Sequence, residues 1–334
     1  MPRSKNPLVQ FSIYSVLVVF FLYSVLPFVW TALNSVKLPK DANARTPRFI
    51  FQPTLDNYTD LWLDISLERF APYGFGLLAL VGLAVGVALF SKRFPISQGV
   101  TYLIIASVIL AALFSLPQFV NFAEFYDYSL NSIIVTIGTL TVSLTIGALA
   151  GYGLARYRGF LSVVILTAAL AFRALPGLAF VLPYYYLGQL SGFYDTHILL
   201  ILSLVAVNQP FTIWMLRSFF MEIPREIEEA AMIDGAGRLQ AFTAVIIPIM
   251  WPGIITTGLF TLLLAYNDFL FARILMQTNL TLPVGISQFT GGEDPGHITL
   301  AAAASVSITL PILLIIIFFQ KHLVSGLASG AVKG

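Results

Sequence analysis

The chain contains no cysteine and only three histidines, His197, His297 and His322, widely separated in its 334 residues. Disulfides, iron–sulfur clusters and short-spaced zinc motifs therefore have no support. Charge is equally scarce. Asp, Glu, Lys and Arg make up 10% of the residues, against about 25% in a soluble domain. The net charge is +2, with basic residues scattered singly or in pairs, so there is no electrostatic footprint for nucleic acid. No G-x-x-x-x-G-K-[ST] string occurs, and none of Lys5, Lys37, Lys40, Lys92, Lys321 and Lys333 follows a glycine, which excludes a Walker phosphate loop. Apolar residues, by contrast, reach 58%, Phe alone numbers 28, and the mean hydropathy is +0.87. Lipid is the solvent this composition fits.

A helix that crosses a hydrocarbon core of about 30 Å needs about 20 mainly apolar residues. Eight stretches qualify, at 11–33, 72–90, 99–119, 130–154, 160–187, 198–219, 249–272 and 298–320. An even number places both termini on one side. With cytoplasmic termini, eleven of the eighteen Lys and Arg fall in inside segments. Among them are Arg3, Lys92, Arg156, Arg217, Arg225, Arg238 and Lys321. The positive-inside rule thus favours a multi-pass protein with both termini cytoplasmic. The first apolar run is too long for a cleaved signal peptide and lacks a small-residue cleavage site. Pro27, Pro117, Pro176, Pro183, Pro210 and Pro311 lie in or near spans and favour kinks there.

The most polar inside segment is 219–253, FFMEIPREIEEAAMIDGAGRLQAFTAVIIPIMWPG. Pro224 suits a first helical position, and Glu226, Glu228 and Glu229 complement the positive end of a helix. Helical spacing puts Ile227, Ala230 and Ala231 on one face, with Arg225 and Glu229 opposite. Asp234 and Gly235 break the run, with Asp234 expected to cap a second helix near Ala236 and Gly237 allowing close backbone approach. Pro248 and Pro252 re-angle the chain toward lipid. An interfacial amphipathic helix is one reading of this segment. The small residues Ala230 and Ala231 bury little area in lipid but let a protein surface come close, which favours docking.

The string EAAMIDGAG, followed by Phe242 and IIPIMWPG, resembles the EAA loop of ATP-binding cassette importer permeases. So do VLPFVWTALNSVK, NSIIVTIGTL with AGYGLARYRG, LRSFFMEIP, LLAYNDFLFA and VSGLASGAVKG, which are similar to carbohydrate permeases related to the second membrane subunit of maltose transporters. The resemblance implies an all-α integral membrane protein with a type I importer, MetI-like permease fold. Such permeases usually have six spans. The chain departs from them by an inserted two-span hairpin at 67–122, so the implied organisation is a first span and loop at 1–66, the hairpin, a core at 123–320 and a cytoplasmic tail at 321–334.

The resemblance further implies a non-catalytic subunit of a binding-protein-dependent importer of a sugar or oligosaccharide. Its expected partners are a second homologous permease, two ATPase subunits that bind ATP and Mg, and an extracytoplasmic solute-binding protein. Glu229, Ala230, Ala231, Asp234, Gly235, Ala236, Gly237 and Pro248 would couple to the ATPase, and Gly330, Ala331, Val332, Lys333 and Gly334 would insert between the ATPase subunits. Gln288, Gly291 and Gly292 lie in the loop expected to reach the binding protein. Ionisable groups inside spans are functional candidates, so Arg173, near mid-span, should face the bundle interior, and Asn267 and Asp268 could bond sugar hydroxyls or partner another subunit. Tyr184 could stack on a sugar face or belong to an interfacial aromatic belt, and these four are the candidate residues of the translocation path. A polyol, glycerol phosphate or other non-sugar solute is the alternative cargo. A secondary transporter would leave the EAA string without a reason.

Overall fold

The computed structural model describes residues 7–63, 82, 124–157, 159–172, 175–289 and 296–331, and the described elements are helical throughout. The long apolar runs become long helices. They are α1 (Pro7–Ser35), the short α2 (Pro39–Ala42) and α3 (Asp56–Leu63), α4 (Glu124–Arg156), α5 (Phe160–Phe172), α6 (Gly177–Ser191) and α7 (His197–Glu222). After the polar segment come α11 (Trp251–Tyr266), α12 (Leu270–Leu275), α13 (Leu282–Phe289) and α14 (Gly296–Ala331). The polar segment itself holds α8 (Arg225–Ile233), α9 (Arg238–Ala241), a π-helical turn at Phe242–Ile246 and α10 (Ile247–Ile249).

Among the described residues four helices are long and apolar enough to cross a membrane, or five when the bent pair Arg238–Ile249 and Trp251–Tyr266 counts as one span. The expected spans at 72–90 and 99–119 lie outside the described residues apart from Gly82. Two expectations are corrected. The span at 160–187 is not one helix. It divides into α5 and α6, and α6 starts only after Pro176, which cannot donate to a helix ladder and biases the residue before it away from the helical region. The span at 249–272 ends at Tyr266, and the bend of 75° before it sits where Pro248 and Pro252 remove backbone donors beside a π turn.

The chain forms two units, Met1–Tyr126 with Ile286–Ser307 and Asp127–Gly285 with Ile308–Gly334. In the first, α1 presents Phe11, Phe20, Tyr23 and Leu26 outward, an apolar surface that only lipid or protein can cover. The loop after it is pinned by Asn57, whose Nδ2 donates to the carbonyls of Ser35 and Lys37, both at 2.8 Å. Lys37 is fully buried. Its ammonium donates to Asn34 Oδ1 at 2.9 Å and lies 4.3 Å from the Trp30 ring centroid, so an aromatic face and an amide replace a carboxylate partner.

In the second unit, lipid supplies no hydrophobic drive between helices, so association depends on close packing and polar contacts. Gly147 and Gly151, one turn apart on α4, let α7 approach until a methyl on Gly151 would sit 3.0 Å from the Arg217 backbone nitrogen. Ser143 Oγ donates to Gln209 Oε1 at 3.0 Å, Gln209 Nε2 donates back to the Ser143 carbonyl at 3.1 Å, and Thr212 meets Thr261 at 3.3 Å. This hydroxyl and amide seam joins α4, α7 and α11.

Candidate functional site

Among the described residues an ion pair fastens the EAA segment to the bundle. At the C-terminal end of α4, Arg156 Nε donates to Glu228 Oε2 at 2.9 Å, and the Tyr152 hydroxyl donates to Glu228 Oε1. Arg156 Nη1 also reaches the Ile223 carbonyl at 3.2 Å, and Arg225 returns a bond from its Nη2 to the Arg156 carbonyl. Beneath this latch lies an apolar cluster of Leu216, Phe220, Ile223, Phe242, Ile246 and Met250, with Tyr152 and Ile227 packed against it. The rings of Tyr152 and Phe242 are 4.7 Å apart. α8 therefore rests on α4, α7 and the π turn through one inward face.

That face corrects the expected division. Ile227, Glu228 and Ala231 are partly buried, and Arg225 turns inward, whereas Ala230 is exposed beside Glu229. The exposed surface continues through Met232, Asp234, Gly235 and Gly237. Ile233 is 85% and Leu239 71% exposed, so two large apolar side chains stand among Glu226, Glu229 and Asp234 with nothing covering them. Ala236 is half-buried, and Pro248 belongs to the bend that carries the chain into α11.

Two local expectations also change. Asp234 does not cap a second helix. It closes α8, donating its backbone N–H to the Ala230 carbonyl, and Gly237 occupies the N-cap of α9 without a side-chain bond. Pro224 is the N-cap of α8, one position before the first helical residue. Gly235 has φ of +94°, the left-handed region that a Cβ disfavours, which is why the reversal between α8 and α9 falls there.

Toward the N-terminal end of α4 a second polar cluster ties two loops to α4 and to the start of α7. Asp195, with φ of +60°, accepts from the amides of Gln277 at 2.7 Å, Thr278 at 3.1 Å and Asn279 at 3.3 Å, and from the Thr278 hydroxyl. Burial alone would push this carboxyl up, but these bonds together outweigh it and hold it below the usual carboxylate range. His197 Nε2 lies 2.8 Å from Asn131 Oδ1, and Asn131 Nδ2 donates to the Leu280 carbonyl at 3.0 Å. None of this cluster was anticipated from sequence, because its partners are separated by more than sixty residues.

Of the expected translocation residues, the structure brings Asn267 and Asp268 together on one cavity of about 560 Å³ at the break between α11 and α12. Tyr184 is not among its lining residues. It packs instead on Phe271, 6.4 Å between ring centroids. Arg173 lies outside the described residues, as do Gly291 and Gly292. Gln288 is exposed on α13, so the expected loop carries a helix at Leu282–Phe289. In the tail, α14 continues past the expected end of its span through Gly330 to Ala331, and Val332, Lys333 and Gly334 lie outside the described residues. Among the described residues no group of His, Cys, Asp and Glu is arranged to hold a metal.

Residues 143–329 match the family described as binding-protein-dependent transport system inner membrane component. That stretch is more than half of the chain and contains the latch, the EAA segment and the cavity. The chain belongs to this family. Among relatives of this transport component, the trehalose transport system permease protein SugB of Mycobacterium tuberculosis is 38% identical over 211 residues, covering 61% of this chain and 76% of SugB. The trehalose/maltose transport system permease protein MalG of Thermococcus litoralis is 35% identical over 217 residues, covering 63% of this chain and 77% of MalG. A solved bacterial ABC transporter involved in import of the acidic polysaccharide alginate contains a chain of the same fold, with a TM-score of 0.63 and 18% identity, covering 95% of this chain and 98% of that one. The family member described here is thus a multi-pass, all-helical inner-membrane transport component with a MetI-like permease fold.

Proposed function

We propose that this permease imports a sugar or oligosaccharide, that the α8–α9 bend is gripped by a separate ATPase subunit, and that ATP and Mg bind to that subunit. One observation carries the reading. Glu228 is consumed in the internal latch, which leaves Glu229, Ala230, Ile233 and Leu239 as a rigidly backed, uncovered surface. Exposed apolar anchors flanked by charge are the usual make-up of an interface centre. Closure of an ATPase dimer would move this bend, and the latch would pass the motion to α4 as one body.

In the full assembly this chain, with eight crossings and both termini cytoplasmic, joins a second homologous permease, two ATPase subunits and an extracytoplasmic solute-binding protein. The sugar class is supported by SugB, a trehalose transport permease, and MalG, a trehalose/maltose transport permease. The coupling residues run from Glu229 to Gly237 with Pro248 behind them. The C-terminal residues Gly330 to Gly334 contact the ATPase, and Gln288 with Gly291 and Gly292 meets the binding protein.

The test is uptake of radiolabelled trehalose and maltose into vesicles carrying all subunits, with ATP hydrolysis measured in parallel. Glu229→Lys reverses a charge at the proposed interface, and Gly235→Pro is incompatible with φ of +94°. Each is expected to insert and co-purify while lowering uptake about tenfold or more, since a misplaced interface charge costs about 2–5 kcal/mol. Unchanged ATP-dependent uptake in both variants would refute the docking role.

A further inference from the structure

The break after α11 has a specific cause. Asp268 Oδ1 accepts from the backbone nitrogens of Phe271 at 3.0 Å and Ala272 at 3.2 Å, so this one oxygen holds the start of α12. Asn267 Nδ2 is likewise committed, donating to the Leu263 carbonyl at 2.9 Å. Asp268 Oδ2 and Asn267 Oδ1 are left without a protein partner among the described residues. Both residues line the cavity of about 560 Å³, a cleft open on one side where Asn267 and Phe269 are exposed, with Phe211, Phe260 and Leu264 among its other lining residues. Phe211 and Phe260 stand edge to face with centroids 6.0 Å apart, bringing α7 and α11 together at the cavity.

We infer that this cavity is a sugar-ring subsite contributed by this chain to the translocation path. The inference rests on the sugar reading above and specifies where the cargo touches this subunit. A pyranose has an apolar face of C–H groups and a rim of hydroxyl donors. Aromatic and aliphatic walls accept the face, while a carboxylate oxygen and an amide oxygen accept from the rim. Few placed polar groups on apolar walls, in a volume of this size, are the usual composition of a small-molecule site. A lipid chain would bury both acceptors without donors, which is costly.

The absence of cysteine makes the site directly accessible to test. Leu264→Cys in the complete complex, with its binding protein and a non-hydrolysable ATP analogue, is labelled with a maleimide in the presence and absence of trehalose or maltose. The subsite predicts labelling slowed at least fivefold by the sugar that the complex imports. In uptake assays Asp268→Asn keeps an acceptor for the Phe271 and Ala272 amides but replaces Oδ2 with a donor. It is expected to lower sugar imported per ATP hydrolysed by about tenfold to a hundredfold, the range for a lost hydrogen bond to a charged group. Phe260→Leu is expected to change the preference between trehalose and maltose.

Labelling indifferent to sugar would overturn the subsite. So would labelling blocked by assembly alone, which would assign the cavity to a side chain of the neighbouring permease. If the parent complex imports neither sugar, and its binding protein takes neither, the sugar reading itself fails. That result comes from the unmodified complex and is distinct from failure of the subsite alone.

Discussion

The latch between Arg156 and Glu228 makes a quantitative claim. Both side chains are mostly buried, at 16% and 13% exposure, and their contact is a charge-assisted bond of 2.9 Å reinforced by the Tyr152 hydroxyl. Removing one partner of such a pair leaves the other charge buried, at a cost of about 3–5 kcal/mol. Glu228→Ala should sit at the upper end, because the guanidinium then keeps the backbone carbonyls of Phe220 and Ile223 and the face of the Tyr152 ring but no opposite charge. Arg156→Ala should sit lower, because Tyr152 still donates to the carboxylate. The loss falls on α8 alone, so the appropriate readout is local. Hydrogen exchange of the amides in Arg225–Ile233, in the assembled complex, should accelerate by at least about a hundredfold in Arg156→Ala and by about a thousandfold or more in Glu228→Ala. The double variant should add little beyond the worse single one, so the coupling energy should equal the smaller single loss, about 3 kcal/mol. Acceleration below about threefold in both singles, or strict additivity in the double, would refute the claim that this pair fastens the EAA segment to α4.

Two further outcomes follow from named geometry. Gly151→Val should destabilise the solubilised protein by about 1–3 kcal/mol through overpacking against the Arg217 backbone, whereas Gly153→Ala, with nothing within 4 Å of its added methyl, should be neutral or slightly stabilising. Equal melting shifts for the two would contradict the close approach of α4 and α7. Asp195 is held below its ordinary range in the folded protein, so its contribution is present above about pH 4, the unfolded value, and is lost as pH falls through the folded one. Exchange protection of the Gln277, Thr278 and Asn279 amides should therefore decline below about pH 4 in the parent chain, and Asp195→Asn, which keeps a residue tolerant of φ near +60°, should abolish that dependence.

What could be read from the sequence divides along a physical line. The long helices at Pro7–Ser35, Glu124–Arg156, His197–Glu222 and Gly296–Ala331 were legible because burial in lipid is a property of composition, and composition is local. The reversal at Gly235 was legible because it too is local. Elements shaped by competition between short signals were misplaced by a turn or less. Asp234 has the right chemistry for an N-cap, but at the end of α8 the backbone claims it first, and glycine takes the next cap by conformation alone. LPVGISQF was read as loop because its length cannot cross a bilayer, although Leu282, Val284 and Gly285 are buried. The latch was invisible for a different reason. Three glutamates follow Pro224, all equally suited to the positive end of a helix, and nothing nearby says that Glu228 will meet a guanidinium 72 residues earlier while Glu229 faces outward. The Gly147 and Gly151 spacing was the available clue, since a small-residue pair on α4 announces close approach of another helix at the turn that carries Tyr152 and Arg156. Close approach brings the α7 C-terminus, and with it α8, within reach of Arg156. The selection of one glutamate for the latch and its neighbour for the exposed face is thus a consequence of helix packing inside the membrane, expressed at the surface where the motor is proposed to act.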